Sequence, residues 1–213
     1  MDLKDIVKIW LALESKIGKI TLFGVIGFVI SIVTGLATSA LGIYGPFIHT
    51  SIGSLLTAPI FIIMYKKIHK KSCIFLYYLI SGLAYSVMGF WPMLIIMLLS
   101  GIVGEIIAGT KNNYDDDNEY KRIGLAFVIA ETIYSLHGFL FILVLGTQGL
   151  VNQFPKMFTL EKAQWMRDFF FNPRNFLIIM CIQIIASILG VLLAKYIHKK
   201  FFAKNIKNGS ILD

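Results

Sequence analysis

Apolar runs, each near the length of a bilayer-crossing helix and parted by short basic or turn-forming segments, take up most of this 213-residue chain. An α-helix rises about 1.5 Å per residue, so roughly 20 apolar residues bridge the ~30 Å hydrocarbon core of a membrane. Stretches at about 20–41, 47–65, 74–89, 92–109, 123–145 and 173–196 come near that length, the third being the shortest. They predict an all-α polytopic membrane protein, a six-transmembrane-helix bundle forming a single membrane domain over 1–213. A soluble globule is excluded by composition: 57% of residues are hydrophobic and only 15% charged. So small a domain has too much surface to hide that load from water.

Turn chemistry sets the boundaries. Tyr44-Gly45-Pro46 ends the first span, because proline cannot continue a helix and glycine favours the turn. Residues 74–110 are too long for one crossing, and Gly89-Phe90-Trp91-Pro92 divides them into a tight hairpin. Pro92 suits a first helical turn, where its missing N–H costs nothing. Asn172-Pro173 opens the last span in the same way. Pro59, inside the second span, removes a backbone hydrogen bond and predicts a kink, a feature that often borders a cavity. Ile6, Trp10, Leu13 and Ile17 recur at helical spacing among lysines, so 2–19 is expected to lie on the membrane as an amphipathic helix. The connection 146–172, with Leu160, Ala163 and Trp165, predicts a second, shorter amphipathic helix.

The net charge of +8 is not spread as a nucleic-acid-binding face would be. Sixteen of the 20 Lys and Arg fall on one side of the proposed topology, leaving Lys156, Lys162, Arg167 and Arg174 on the other. The positive-inside rule makes the heavy side cytoplasmic, and with it both termini. The expected location is the cell membrane, multi-pass. Lys4, Asp5, Lys8 and Glu14 interrupt any apolar core of a cleavable signal peptide. Cys73 and Cys181 have no metal-ligand spacing and are expected to be buried small hydrophobes.

Several residues are candidates for chemistry. Gly27, Ser31, Gly35 and Ser39 place a small residue at every fourth position of the first span. Such stripes let helices approach closely, either within one bundle or against a partner. The fourth span repeats the pattern with Ser100, Gly104 and Ala108, and the sixth with Ala186, Gly190 and Ala194. Glu105 and Glu131 lie within spans, where a carboxylate needs a partner or a wet cavity. A lysine from 66–71 or 121–122 is within reach of Glu105. Glu131, near mid-bilayer, is followed by Tyr134 and His137, a trio fit either for a core network or for a cavity open to the outside. Tyr44, His49, Trp91, Gln148, Asn152, Trp165 and Arg167 gather on the same outer face. Aromatic faces with a few hydrogen-bonding groups are what a small-molecule pocket is built from. The acidic run Asp115-Asp116-Asp117-Asn118-Glu119 lacks the spacing of a calcium loop and is read as solvated. No phosphate-binding lysine loop, HExxH or Gly-x-Ser-x-Gly occurs, so neither ATP nor simple protease or lipase chemistry is expected. No metal and no cofactor is implied.

Pro59-Ile60-Phe61-Ile62-Ile63-Met64-Tyr65-Lys66-Lys67 and Gly101-Ile102-Val103-Gly104-Glu105-Ile106-Ile107-Ala108-Gly109, with the glycine-bearing third span between them, resemble the Trep-Strep (MptD) family. Its members are regarded as substrate-binding S components of energy-coupling factor (ECF) transporters, and the likeness runs from about Ser51 to Gly149. The resemblance implies capture of a vitamin or other micronutrient outside and its delivery inward with a transmembrane T component and two cytoplasmic ATPases. It also implies that Gly27, Ser31, Gly35 and Ser39 dock onto the T component. Two other readings remain open: a membrane enzyme using Glu131 and His137 as acid–base groups, and a scaffold without a ligand.

Overall fold

The computed structural model describes residues 15–41, 44–68, 71–109 and 117–202. Among them the chain is all helical. The helices are α1 (Lys16–Ser39), α2 (Gly45–Ile68), α3 (Cys73–Val87), α4 (Pro92–Ala108), α5 (Asp117–Ser135), α6 (His137–Gln153), α7 (Leu160–Phe170) and α8 (Pro173–Ile197), which ends in a π-turn, His198–Phe202. Among the described residues four helical runs are long and apolar enough to cross a membrane: Ile17–Ser39, Ile48–Ile68, Glu119–Gln153 and Pro173–Phe201. Cys73–Val87 and Pro92–Ala108 are shorter apolar helices.

Local chemistry explains where these helices start. The Ser15 side chain accepts from the Gly18 N–H at 3.0 Å and caps α1. Lys16–Lys19 are thus the first turn of α1, not the end of a separate helix lying on the membrane; the rest of that predicted helix, 2–14, lies outside the described residues. Gly45, not Phe47, opens α2, and the helix runs on through Pro59 to Ile68. Gly89, at φ 92°, makes the α3–α4 turn with the Phe90 N–H on the Tyr85 carbonyl, as the sequence predicts. Asn172 caps α8 through its side chain, with Pro173 at the first turn.

Helices α1 to α5 and α8 pack against one another to form the bundle. One end collects the lysines. There Lys66 pairs with Glu119, the Tyr120 hydroxyl meets His198 Nδ1, and the Lys195 ammonium lies 5.5 Å from the Tyr120 ring. Those contacts bring together the end of α2, the start of α5 and the end of α8. Glu119 therefore leaves the solvated acidic run to which the sequence assigned it; its side chain is 1% exposed.

Glu105 also finds a partner other than the one its sequence position suggests. No lysine pairs with it among the described residues; its carboxylate accepts the Ser72, Ile74 and Phe75 N–H groups at 2.6, 3.0 and 3.3 Å. Ser72 adopts a left-handed conformation and offers α3 no side-chain cap, so α4 supplies the cap from across the hairpin. Glu105→Ala is expected to lower stability by about 2 kcal/mol, and Glu105→Gln by less, since the amide keeps one acceptor. Thermal unfolding in detergent followed by circular dichroism reads the difference; equal losses for the two variants would count against the cap.

Small residues bring the helices close. A Cβ on Gly190 would lie 2.9 Å from the Ala58 Cβ and from the Ser54 carbonyl, so α2 and α8 touch backbone to backbone. Beside that contact Gln183, wholly buried, exchanges hydrogen bonds with Ser51, Ser54 and Ser187. Ser100, Gly104 and Ala108 are buried as well, in keeping with the stripe on the fourth span. Cys73 is buried as expected, whereas Cys181 is exposed on the outer face of α8, where neighbouring Ile178, Ile182 and Ile185 are exposed too.

The predicted fifth span, 123–145, needs the largest correction. α5 stops at Ser135, Leu136 leaves helical geometry at φ −76°, ψ 0°, and α6 sets off from His137. The start of α6 lies by Tyr134 and His49, while at its far end Gln153 donates to the Gly89 carbonyl at 2.8 Å. Both ends of α6 therefore lie at the end of the bundle away from the lysines. Gly146, at φ 66°, bends α6 on the way. Joined by α7, it caps that end. The Asp117–Ser135 helix alone spans about 28 Å, close to the thickness of the hydrocarbon core.

Candidate functional site

Between the cap and the ends of α1 to α5 lies a cavity of about 580 Å³, within the usual range of small-molecule sites. α1 contributes Ser31, Gly35, Thr38 and Ser39; α2 contributes Gly45 and His49. Tyr85 and Met88 come from the end of α3, Phe90 and Met93 from the turn into α4. Tyr134 closes α5, and the cap adds His137, Phe141, Phe154, Phe158 and Lys162. The wall is mainly apolar and aromatic, with a few hydroxyls, two imidazoles and one ammonium.

Helix geometry holds the polar groups in place. The Tyr85 and Tyr134 hydroxyls lie 3.3 Å apart, bridging α3 and α5. His137 stacks on the Tyr134 ring, with centroids 5.3 Å apart, and meets His49 edge-on at 5.0 Å. Its Nδ1 lies 3.0 Å from the Tyr134 carbonyl, which only accepts; Nδ1 therefore carries the proton, leaving Nε2 as the acceptor of the neutral ring. The Lys162 ammonium donates to the Met157 carbonyl at 3.1 Å and lies 5.3 Å from the Phe158 ring. No acidic residue lines the cavity among the described residues.

Of the ten residues expected to bind substrate, His49, Tyr134 and His137 line this cavity. Glu131 does not. It sits one turn before Tyr134, 5% exposed, and takes a 2.8 Å hydrogen bond from the Tyr78 hydroxyl. It belongs to the core network that the sequence left as an alternative, in the last turns of α5 and not at its middle. Tyr44 and Trp165 meet each other edge-on, 6.4 Å between centroids, outside the lining. Trp91 is 44% exposed at the α3–α4 turn. Gln148 and Asn152 bond to each other on the exposed side of α6, and Arg167 pairs with Asp168 on the exposed side of α7. Shared location at one end of the bundle was legible, but which side of each helix faces inward was not. Sequence reasoning missed Tyr85, Lys162 and the phenylalanines of the cap. The density of phenylalanine from Phe139 to Phe176 was the available signal.

The stripe on α1 meets both the core and the cavity. Gly27 packs against the Tyr77 ring, and Ser31, Gly35 and Ser39 line the cavity. Gly27 is buried, Ser31 and Gly35 are half-buried and Ser39 is exposed, so the stripe runs from the packed core to the cavity wall. The outward residues of α1 are large: Leu22, Val25, Val29 and Val33.

Apolar helices, an exposed surface rich in Ile, Leu and Val, and lysines gathered at one end define an integral membrane protein of several helices. Its cavity lies at the end opposite those lysines. A family model described as "Hypothetical bacterial integral membrane protein (Trep_Strep)" matches residues 16–204, and the chain belongs to that family. Comparison with the curated proteins and with the solved structures gives no match.

Proposed function

We propose that this chain is the substrate-binding membrane subunit, an S component, of an ECF-type importer. In this reading six helices cross the bilayer: α1 to α5 and α8. The lysine-rich end and both termini face the cytoplasm, by the positive-inside rule. The cavity under α6 and α7 opens toward the outside and captures a vitamin or other micronutrient. A T component and two ATPases then carry the cargo inward, since the sequence has no phosphate-binding lysine loop of its own. The observation that carries the reading is a cavity of about 580 Å³ placed at the end away from the lysines. A carrier also suits the walls better than an enzyme does. Glu131, the acid an acid–base mechanism would pair with His137, is bonded to Tyr78 outside the lining.

The test is affinity capture of the tagged full-length chain from its own cell membranes, with mass spectrometry of both proteins and small molecules. A T component, its ATPases and a stoichiometric micronutrient are expected together. Recovery of the chain alone under mild detergent, with its C-terminal reporter outside the cell, would end the importer reading.

A further inference from the structure

We infer that the cavity selects a predominantly apolar molecule bearing one anionic group, with Lys162 as the residue that reads the charge. This rests on the cavity being the ligand site proposed above. Lys162 is the only charged side chain among the described lining residues. Its ammonium spends one of its three hydrogens on the Met157 carbonyl, and no carboxylate pairs with it among the described residues. That leaves donors for a ligand. The Phe158 ring beside it holds the cation next to apolar surface, and a largely apolar wall strengthens any charge pair formed there. A cationic ligand would meet Lys162 with no acidic side chain among the described lining residues to offset the repulsion. A neutral one would leave the ammonium half-desolvated and its remaining hydrogens unmatched. At the other side of the cavity His137 and His49 supply ring nitrogens, suited to hydrogen-bonding the far end of an aromatic body. The class is thus an aromatic or otherwise apolar carboxylate or phosphate.

The experiment uses charge-matched probes on two aromatic bodies: indole-3-acetate, indole-3-acetamide and tryptamine, and 1-naphthoate, 1-naphthamide and 1-naphthylmethylamine. Each is measured by equilibrium dialysis against nanodiscs holding the full chain, with empty nanodiscs subtracted. For at least one body the acid is expected to bind about 10- to 100-fold tighter than the amide, as a charge-assisted hydrogen bond implies, with the amine weakest. Lys162→Gln should bring the acid down to the level of the amide and leave the amide unchanged, while Lys162→Arg keeps the preference. Equal binding of acid and amide, tightest binding of the amine, or an acid preference that survives Lys162→Gln overturns the inference and leaves the cavity reading standing. If no probe binds saturably, or if Gly35→Trp leaves binding intact, the cavity reading falls and the inference falls with it.

Discussion

Gly35→Trp is expected to abolish ligand binding without unfolding the bundle, while Gly27→Leu, two turns earlier on the same stripe, is expected to damage the fold itself. The sequence makes these two glycines look equivalent. A Cβ at Gly35 meets nothing within 4 Å, because that position faces the cavity. An indole there enters space that a ligand would otherwise fill, and removal of a mid-helix glycine contributes about 0.5–1 kcal/mol toward stability. A Cβ at Gly27 falls on the Tyr77 hydroxyl. Tyr77 is 3% exposed and wedged against Phe61 and Tyr78, with centroids 5.5 and 5.3 Å away, so it has no room to yield. Overpacking of that kind costs about 1–3 kcal/mol, and a leucine in place of hydrogen lies at the upper end. Thermal unfolding and ligand capture, measured on both variants in detergent, separate the effects. A Gly35→Trp protein that still carries ligand, or a Gly27→Leu protein as stable as the parent, would contradict the inward orientation of α1.

That contrast shows where the sequence stops being informative. Run length, proline and glycine placed the helices, because each has a local cause in backbone chemistry: the Gly89 turn, the Asn172 cap and Pro92 at the start of α4 are where the chain itself requires them. Rotation of a helix about its axis has no such local cause when nearly every face is apolar. Lipid and core both accept Ile, Leu and Val, so hydrophobic periodicity weakens as a guide. Ser31 and Gly35 were thus legible as small but not as cavity wall, and Cys181 was legible as apolar but not as exposed. The break at Leu136 was hidden for a related reason. The run from Ile123 to Leu145 reads as one apolar helix, and only the packing of Phe139 on Phe170 and of Phe154 on Phe90 turns its second part across the end of the bundle. Lys162 escaped notice because one cation in an exposed connection is ordinarily solvated. Its role depends on what α7 brings it near.

Removing either member of the buried Lys66–Glu119 pair is expected to give a large loss of stability, about 3–5 kcal/mol, because the remaining charge stays buried after this contact is lost. The two side chains are 6% and 1% exposed, and they join the end of α2 to the start of α5. The Tyr120 ring lies 4.5 Å from the Lys66 ammonium, and the same ring takes the Lys195 ammonium from α8. Loss of Glu119 therefore reaches three helices at once. Loss of both charges is a different matter: Lys66→Met with Glu119→Leu removes the desolvation cost along with the attraction and restores packing volume. Such replacements of a buried pair are often neutral or stabilising. The double variant is accordingly expected to recover most of what either single variant loses, so that single losses of about 3–5 kcal/mol imply a coupling energy of about 5 kcal/mol or more in a double-mutant cycle. Reversible unfolding of the four proteins in mixed micelles measures it. Additive losses would mean that the two side chains stabilise the bundle independently, and that the lysine-rich end is held by the aromatic and histidine contacts around Tyr120 without help from the ion pair.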